Sequence, residues 1–260
     1  MKLVTWNVNS VRLRLEHLQR LEALWRPDLI CLQETKVTDE LFPREAFAAL
    51  GYAHLAVLGM KGYNGVAIAS RRPLALVRHQ TWCGRDDCRH LIAELDGIEV
   101  HCLYVPAGGD IPDPAANDKF AHKLEFLDAV AGWFAGQDAA RPMVLVGDFN
   151  VAPLPTDVWS HKQMLKVVSH TPVEVERLAA LQASLGWIDA VRHFVPPEQH
   201  LYSWWSYRAA DWAASNRGRR LDHIWVTPPL APRLARAEIL AEARGWQPPS
   251  DHVPVMVDLA

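Results

Sequence analysis

The stretch MVLVGDFN at residues 143–150 decides how this chain is read. An apolar, partly β-branched run passes straight into Gly147, Asp148 and Asn150, so a short buried strand ends on a carboxylate and an amide. The pattern recurs on both sides. LVTW at 3–6 runs into Asn7 and Asn9, and LICLQ at 29–33 into Glu34. Asp222 opens DHIWV at 222–226, and Asp251-His252 stand directly before VPVMVDL at 253–259. Further strand-like runs lie at 66–69, 91–95 and 100–105. A lone Asp or Asn at a strand end is ordinary turn chemistry. A whole set, all acidic or amide with one histidine, points to a site assembled at one edge of a sheet.

Between the strands lie helical patterns. Val11, Leu15, Leu18, Leu21, Leu24 and Trp25 recur at three- and four-residue steps behind Ser10, predicting an amphipathic helix with that serine as N-cap. Phe120, Leu124, Leu127, Val130, Ala131 and Phe134 predict a second. Residues 173–185 predict a third, entered through Thr171-Pro172 and stopped at Gly186. Neither a low-complexity linker nor a fixed-period repeat divides the chain, so one domain over 1–260 is expected, with sheet on sheet and helices outside.

Composition narrows the classes. Of 260 residues, 50% are hydrophobic and 22% charged, which is globular rather than disordered. No apolar run approaches the ~18 residues of a membrane span, and the N-terminus reads as strand rather than signal peptide; the expectation is no membrane and a cytoplasmic location. Four cysteines are too few for a disulfide scaffold, and Cys31 and Cys102 fall inside apolar runs. Cys83 and Cys88 with His79 and His90 would suggest zinc, but C-x4-C-x-H lacks a second half. A net charge of −3 neither advertises nor forbids a nucleic-acid partner, since binding needs only a local positive patch.

The strand-end residues share one chemistry. Glu34, Asp148, Asp251, Asn7 and Asn150 offer oxygen and no thiolate, which suits Mg²⁺ or Mn²⁺ rather than zinc. Asp222 and His252 would form a pair in which the carboxylate orients and charges the imidazole. A hard cation, a histidine and several amides suit hydrolysis of a phosphate ester.

The motifs TWNVNS at 5–10, LQETK at 32–36, YNGVAIAS at 63–70, GDFNVAP at 147–153, NRGRRLDHIWVT at 216–227 and SDHVPV at 250–255 follow in order along nearly the whole chain. In them the sequence resembles the exonuclease III family, the bacterial relatives of the abasic-site endonucleases. LQETK, SWWSYR at 203–208 and the basic run before Asp222 narrow it from the wider endonuclease/exonuclease/phosphatase superfamily. The resemblance implies an α/β fold, a four-layered sandwich of two mixed sheets face to face with helices outside and the site at one edge. It implies metal binding by Glu34, with Asp251 and Asn7 nearby. Asp148 and Asn150 would bind and orient water and phosphate, with Asp148 also a general-base candidate; His252 would contact the scissile phosphate, paired with Asp222, and Tyr104 of LYVPAG would place a phenol beside it. Asn9, where some abasic endonucleases carry Asp, and Ala107, where Asn or Gln is common, depart from the pattern and bear on relative activities.

The implied substrate is double-stranded DNA with abasic sites or 3′ ends, the enzyme acting as a monomer that incises 5′ to the abasic site and works as a 3′–5′ exonuclease. Substrate contacts are expected from Trp204, Trp205, Trp246, Arg208, Arg217, Asn216 and Lys119, with Arg219, Arg220, Lys36, Lys61 and Lys123 as further phosphate candidates. The insert carrying His161, Lys162, Lys166 and His170 either tunes the choice of substrate or is a loop without a role. Two readings stay open beside this one. The same metal site would serve an inositol phosphate, a phospholipid head group or RNA, against which SWWSYR and NRGRRLD argue; a non-catalytic DNA-binding module is disfavoured because every acidic and amide position is filled.

Overall fold

The computed structural model describes residues 1–209 and 211–260. In chain order the strands are β1 (Lys2–Asn7), β2 (Leu29–Gln33), β3 (His54–Leu58), β4 (Val66–Ser70), β5 (Ala75–His79), β6 (His90–Leu95) and β7 (Ile98–Tyr104). Then follow β8 (Met143–Asp148), β9 (Ile188–Asp189), β10 (Trp204–Trp205), β11 (Gly218–Arg219), β12 (Asp222–Val226), β13 (Leu234–Ile239) and β14 (Val255–Leu259). The helices are α1 (Leu15–Trp25), α2 (Arg44–Ala49), α3 (Asp118–Ala135), α4 (His161–Met164), α5 (Pro172–Ser184) and α6 (Trp212–Ser215). None of the described helices is long and apolar enough to cross a membrane.

Two six-stranded sheets carry the fold, in the orders β13-β14-β1-β2-β4-β3 and β5-β6-β7-β8-β12-β9. Each is mixed, with one parallel pair at its centre, β1–β2 in the first and β7–β8 in the second. Period-two alternation sorts the side chains into layers. Leu3, Leu29, Cys31 and Ile68 face Ala93, Val100, Val146 and Ile224 across the inter-sheet core. Val4, Trp6, Ile30 and Leu32 turn outward onto Leu18, Leu21 and Trp25 of α1. Leu103, Leu145 and Trp225 turn outward onto Phe126, Val130 and Phe134 of α3 and Leu178 and Leu181 of α5. Helix, sheet, sheet, helix: the expected four-layered sandwich is the observed one.

The differences from the sequence reading are local. Ser10 makes no side-chain cap; with φ 89° it leads a 3₁₀ turn over Val11–Leu13, and α1 starts at Leu15. Leu24 is 55% exposed, one step off the buried stripe of Leu18, Leu21 and Trp25. The entry to α5 is as expected, with Thr171 and Glu174 in a reciprocal capping box. Two basic residues assigned to DNA belong instead to the interior. Lys123 is fully buried against Glu174, and its Nζ donates to the Asn150 carbonyl at 2.7 Å. Arg220 is also buried, bonded to Asp157 Oδ1 and Oδ2 at 2.9 and 3.1 Å and to Asp189 Oδ2 at 2.6 Å.

Removing one partner of a buried ion pair strands the other charge, which typically costs about 3–5 kcal/mol. Asp157→Ala is therefore expected to lose stability of that order, read as a large drop in the urea midpoint; an unchanged midpoint would refute the structural role given to Arg220.

Candidate active site

The parallel pairs position the site. In each sheet a strand–helix–strand crossover brings two strand C-termini to the same edge. β1 and β2 deliver Asn7 and Glu34; β7 and β8 deliver Tyr104 and Asp148, which are register partners. The antiparallel neighbours β12 and β14 begin at that edge, so Asp222 lies opposite Asp148 and Asp251-His252 lead into β14. Several of these residues sit in the left-handed region: Asn9 (φ 43°), Glu34 (φ 53°) and Asn150 (φ 53°). Asn tolerates that conformation and Glu does so at a cost, which is the kind of strain that gathers at functional sites.

A hydrogen-bond network joins the set. Asn7 Nδ2 donates to Glu34 Oε1 at 2.9 Å and to Asp148 Oδ2 at 3.0 Å, bridging the two sheets. Asn150 donates through its backbone N–H to Asp148 Oδ1 at 2.9 Å and through Nδ2 to Oδ2 at 3.1 Å. The Tyr104 hydroxyl donates to Glu34 Oε1 at 2.8 Å. Asp222 Oδ2 lies 2.8 Å from His252 Nδ1, and His252 Nε2 lies 3.6 Å from Asp148 Oδ2.

The electrostatics follow from burial and neighbours. Burial opposes charge on His252, but Asp222 and then Asp148 outweigh it and raise the imidazole to about 10. Burial lifts Asp148 to about 7 against the pull of that imidazolium, with Asp222 adding to the rise. Burial also acts to raise Glu34, but the Lys36 ammonium, 2.7 Å from Oε2, and the Asn7 amide hold it below the usual carboxylate range. Tyr104 is pushed up by burial and then by Glu34 and Asp148, so its phenol remains a donor.

Of these groups, Glu34, Tyr104, Asp148, Asn150 and His252 open on a cavity of about 560 Å³, with Asn7 and Asp222 supporting them from behind. Glu34, Tyr104, Asp148, Asn150, Asp251 and His252 form its acidic side; Trp159, Trp204, Arg208, Arg217 and Arg219 form the facing wall. The Arg219 and Arg217 guanidinium groups each stack 4.7 Å from a ring centre, on Trp204 and Trp159 respectively. Trp204 Nε1 donates to Asp251 Oδ2 at 3.0 Å, tying wall to acidic side.

Of the substrate candidates, then, Trp204, Arg208, Arg217 and Arg219 line the cavity. The others do not. Trp205 is 4% exposed in the core behind the first sheet, its Nε1 donating at 3.0 Å to the Oδ1 of Asn216, an exposed residue outside the cavity lining. Trp246 packs edge-on against His17 beside α1. Lys119 lines a neighbouring groove rather than this cavity. In a W-W pair on a strand the two rings face opposite sides, so only one could reach the cavity.

Three contributors escaped the sequence reading. Ser203 Oγ donates to Asp222 Oδ2 at 2.6 Å and accepts the Asp222 N–H at 3.0 Å. Ser250 Oγ donates to the Asn7 carbonyl at 2.8 Å. Trp159 comes from the insert, whose His161 and His170 bond each other at 2.8 Å while its residues 167–169 line the cavity. Both serines open motifs already singled out, SWWSYR and SDHVPV; nothing local marked Trp159. Of the departures, Asn9 accepts from Lys36 and donates to Asp251 Oδ1 at 3.2 Å, linking the two edges of the acidic side without charge.

The donor set fits a hard divalent cation. Asp148, Asp222 and His252 have ligand-type atoms within 4.8 Å of one another, but the His252 Nδ1 faces Asp222 and the ring is protonated, so the trio is an ion-pair chain rather than a donor set. The oxygen atoms of Glu34, Asp148 and Asp251 remain, all lining the one cavity, and an all-oxygen set of this kind suits a hard cation.

Comparison with known proteins agrees. The endonuclease/exonuclease/phosphatase family model matches residues 4–252, and the chain belongs to that family, whose enzymes are metal-dependent hydrolases. It is 30% identical to an exodeoxyribonuclease III of Haemophilus influenzae, covering 99% of both chains. An AP endonuclease from Archaeoglobus fulgidus superposes with a TM-score of 0.92 at 33% identity, covering 100% of this chain and 99% of the other. A 3′ phosphatase from Neisseria, solved bound to a product DNA hairpin, does so with a TM-score of 0.91 at 32% identity, covering 100% and 99%.

If Asp222 holds the His252 proton, Asp222→Asn should lower the imidazole titration from about 10 toward the ordinary 6.5. The His252 ring proton followed by NMR in chelator-treated protein reads this directly; an unmoved midpoint would remove Asp222 from that role.

Proposed function

We propose that this chain is a Mg²⁺-dependent DNA repair nuclease, a 3′–5′ exonuclease that also incises 5′ to abasic sites and clears nucleotides or blocking groups from 3′ ends of duplex DNA. It works as a cytoplasmic monomer, with residues 1–260 as one catalytic domain. The observation that carries the reading is one cavity with two chemistries: the Asp222–His252–Asp148 chain on one side and the stacked Trp204–Arg219 and Trp159–Arg217 pairs on the other. The first suits attack at a phosphate, the second suits a backbone and a flat or missing base. Full-length relatives that are DNA enzymes support it.

The residues divide the work. His252 donates from Nε2 to a non-bridging phosphate oxygen, its charge held by Asp222. Asp148 accepts the proton of the attacking water; the Nδ2 groups of Asn7 and Asn150 each give one proton to this carboxylate, their second going to Glu34 Oε1 and to the Val105 carbonyl respectively. Tyr104 and Asn7 orient Glu34, the principal metal ligand, with Asp251 beside it. The bound Mg²⁺ would stabilise charge on the phosphoryl or leaving oxygen. Arg208, Arg217 and Arg219 hold flanking phosphates and make binding salt-dependent.

Asp148→Asn or His252→Ala should lower single-turnover cleavage by at least about 10³-fold while DNA affinity is largely kept. Near-normal rates would sink those roles. Glu34→Ala should raise the Mg²⁺ concentration needed for half-maximal cleavage, and an unchanged requirement would argue against Glu34 as ligand. The substrate assignment is tested on a duplex with one central abasic-site analogue, labelled at 5′ and 3′ ends separately. A Mg²⁺-dependent nick 5′ to the site with 3′ trimming is expected; trimming alone would remove the incision, and neither product would refute the nuclease reading.

A further inference from the structure

Away from the cavity, a second group of metal-type donors meets. A Cys83 sulfur, a His122 ring nitrogen and a Glu125 carboxylate oxygen lie within 4.8 Å of one another. His122 and Glu125 stand three residues apart on α3, hence on one face. Cys83 comes from the tight turn between β5 and β6, where Arg85 N–H donates to the Trp82 carbonyl at 2.9 Å. Trp82 seats that turn on the helix, its ring edge-on to Phe126 at 6.1 Å and Trp133 at 6.0 Å.

The independent mark is His122 itself. The residue is 7% exposed, and both ring nitrogens are out of solvent without a hydrogen-bond partner. A neutral imidazole carries one donor and one acceptor, and a buried one with neither satisfied calls for a ligand. Thiolate, imidazole and carboxylate together select a borderline-soft ion over the hard cation of the nuclease site.

We propose that Cys83, His122 and Glu125 bind Zn²⁺ as a second metal site, three protein ligands with one position left to water, fastening the turn at 82–88 to α3. Ligand atoms on a tetrahedral zinc stand about 3.3–3.8 Å apart, so modest rotation of the exposed Glu125 and the half-buried Cys83 completes the geometry. Burial holds His122 below its ordinary pKa, leaving it in the ligating form. On binding, the Cys83 S–H bond breaks, its proton goes to solvent, and the sulfur pair forms the Zn–S bond. The C-x4-C spacing misses this grouping because the partners lie on a helix far along the chain; His90 is committed to His101 Nδ1 at 3.1 Å. The consequence reaches the nuclease site. Arg89, just past the turn, accepts the Tyr104 N–H through its carbonyl at 2.8 Å and stacks on the Tyr104 ring at 4.7 Å, so a fastened turn steadies the acidic side of the cavity.

The test is titration of chelator-treated full-length protein with Co²⁺ in excess Mg²⁺, following the near-ultraviolet thiolate-to-cobalt band. The oxygen-only site cannot produce that band, so the outcome is independent of the nuclease reading. One equivalent per chain is expected, displaced by Zn²⁺, retained in Cys88→Ser, lost in Cys83→Ser and weakened about tenfold in Glu125→Gln. Zn²⁺ should also raise the Tm of the wild-type chain and not of Cys83→Ser, whose metal-free fold is checked by circular dichroism. No band in the wild-type chain, a band surviving Cys83→Ser, or undiminished affinity in Glu125→Gln overturns the site.

Discussion

A carboxylate with 1% of its surface exposed cannot stand unsupported, and the way Asp148 is supported organises the working edge. Its two oxygens accept from Asn7 on the first sheet and from Asn150 beyond its own strand, and the remaining counter-charge is the His252 imidazolium. That imidazolium is held chiefly by Asp222 behind it, with Asp148 in front adding to the effect, and Asp222 is aimed by Ser203. The chain of dependencies therefore crosses from one sheet to the other and back. A shift between the sheets would break the Asn7 bridge and leave Glu34 and Asp148 facing each other without the amide between them.

The sheets are built so that this register is stiff. Both parallel pairs are central strands, packed on the partner sheet on one face and on helices on the other. Functional groups at their C-termini thus hang from the most constrained parts of the chain, while the wall opposite is carried by the two-stranded ribbon β10–β11 and the insert before α5. The division suits a phosphate chemistry that must be held fixed and a substrate surface that can vary.

This division also explains what was legible in the sequence. The eight strands recognised as apolar runs are the eight interior strands of the two sheets. The four edge strands, β3, β5, β9 and β13, were not recognised, because an edge strand is half solvated and carries charge: ALVRH of β5 is exposed throughout. The acidic and amide residues were legible because interior strands end abruptly on them. The facing wall was less so. Trp204 and Trp205 are indistinguishable in a one-dimensional pattern, and only the pairing of Trp204 with Arg219 in the ribbon decides which ring faces the cavity. Basic residues were the least legible of all, since Lys123 and Arg220 differ from cavity-lining arginines only in having carboxylates placed beside them by distant segments.

That last point bears on how charge is spent in this molecule. The net charge of −3 suggests little affinity for a polyanion, and removing Lys123 and Arg220 from the accessible pool makes the count worse. Yet the sum is the wrong quantity. Asp157 and Glu174 are buried with those bases, and the largely covered Asp189 is paired with Arg220, so their charges are answered inside the protein. Within the cavity, Arg208, Arg217 and Arg219 stand opposite an acidic side that a divalent cation would neutralise, so the field met by an approaching phosphate is set by three guanidinium groups and the His252 imidazolium. Two of those guanidinium groups sit over indole rings, which restricts their position before a ligand arrives and lowers the entropy lost on binding. The local arrangement thus offers a prepaid cationic groove on an acidic protein.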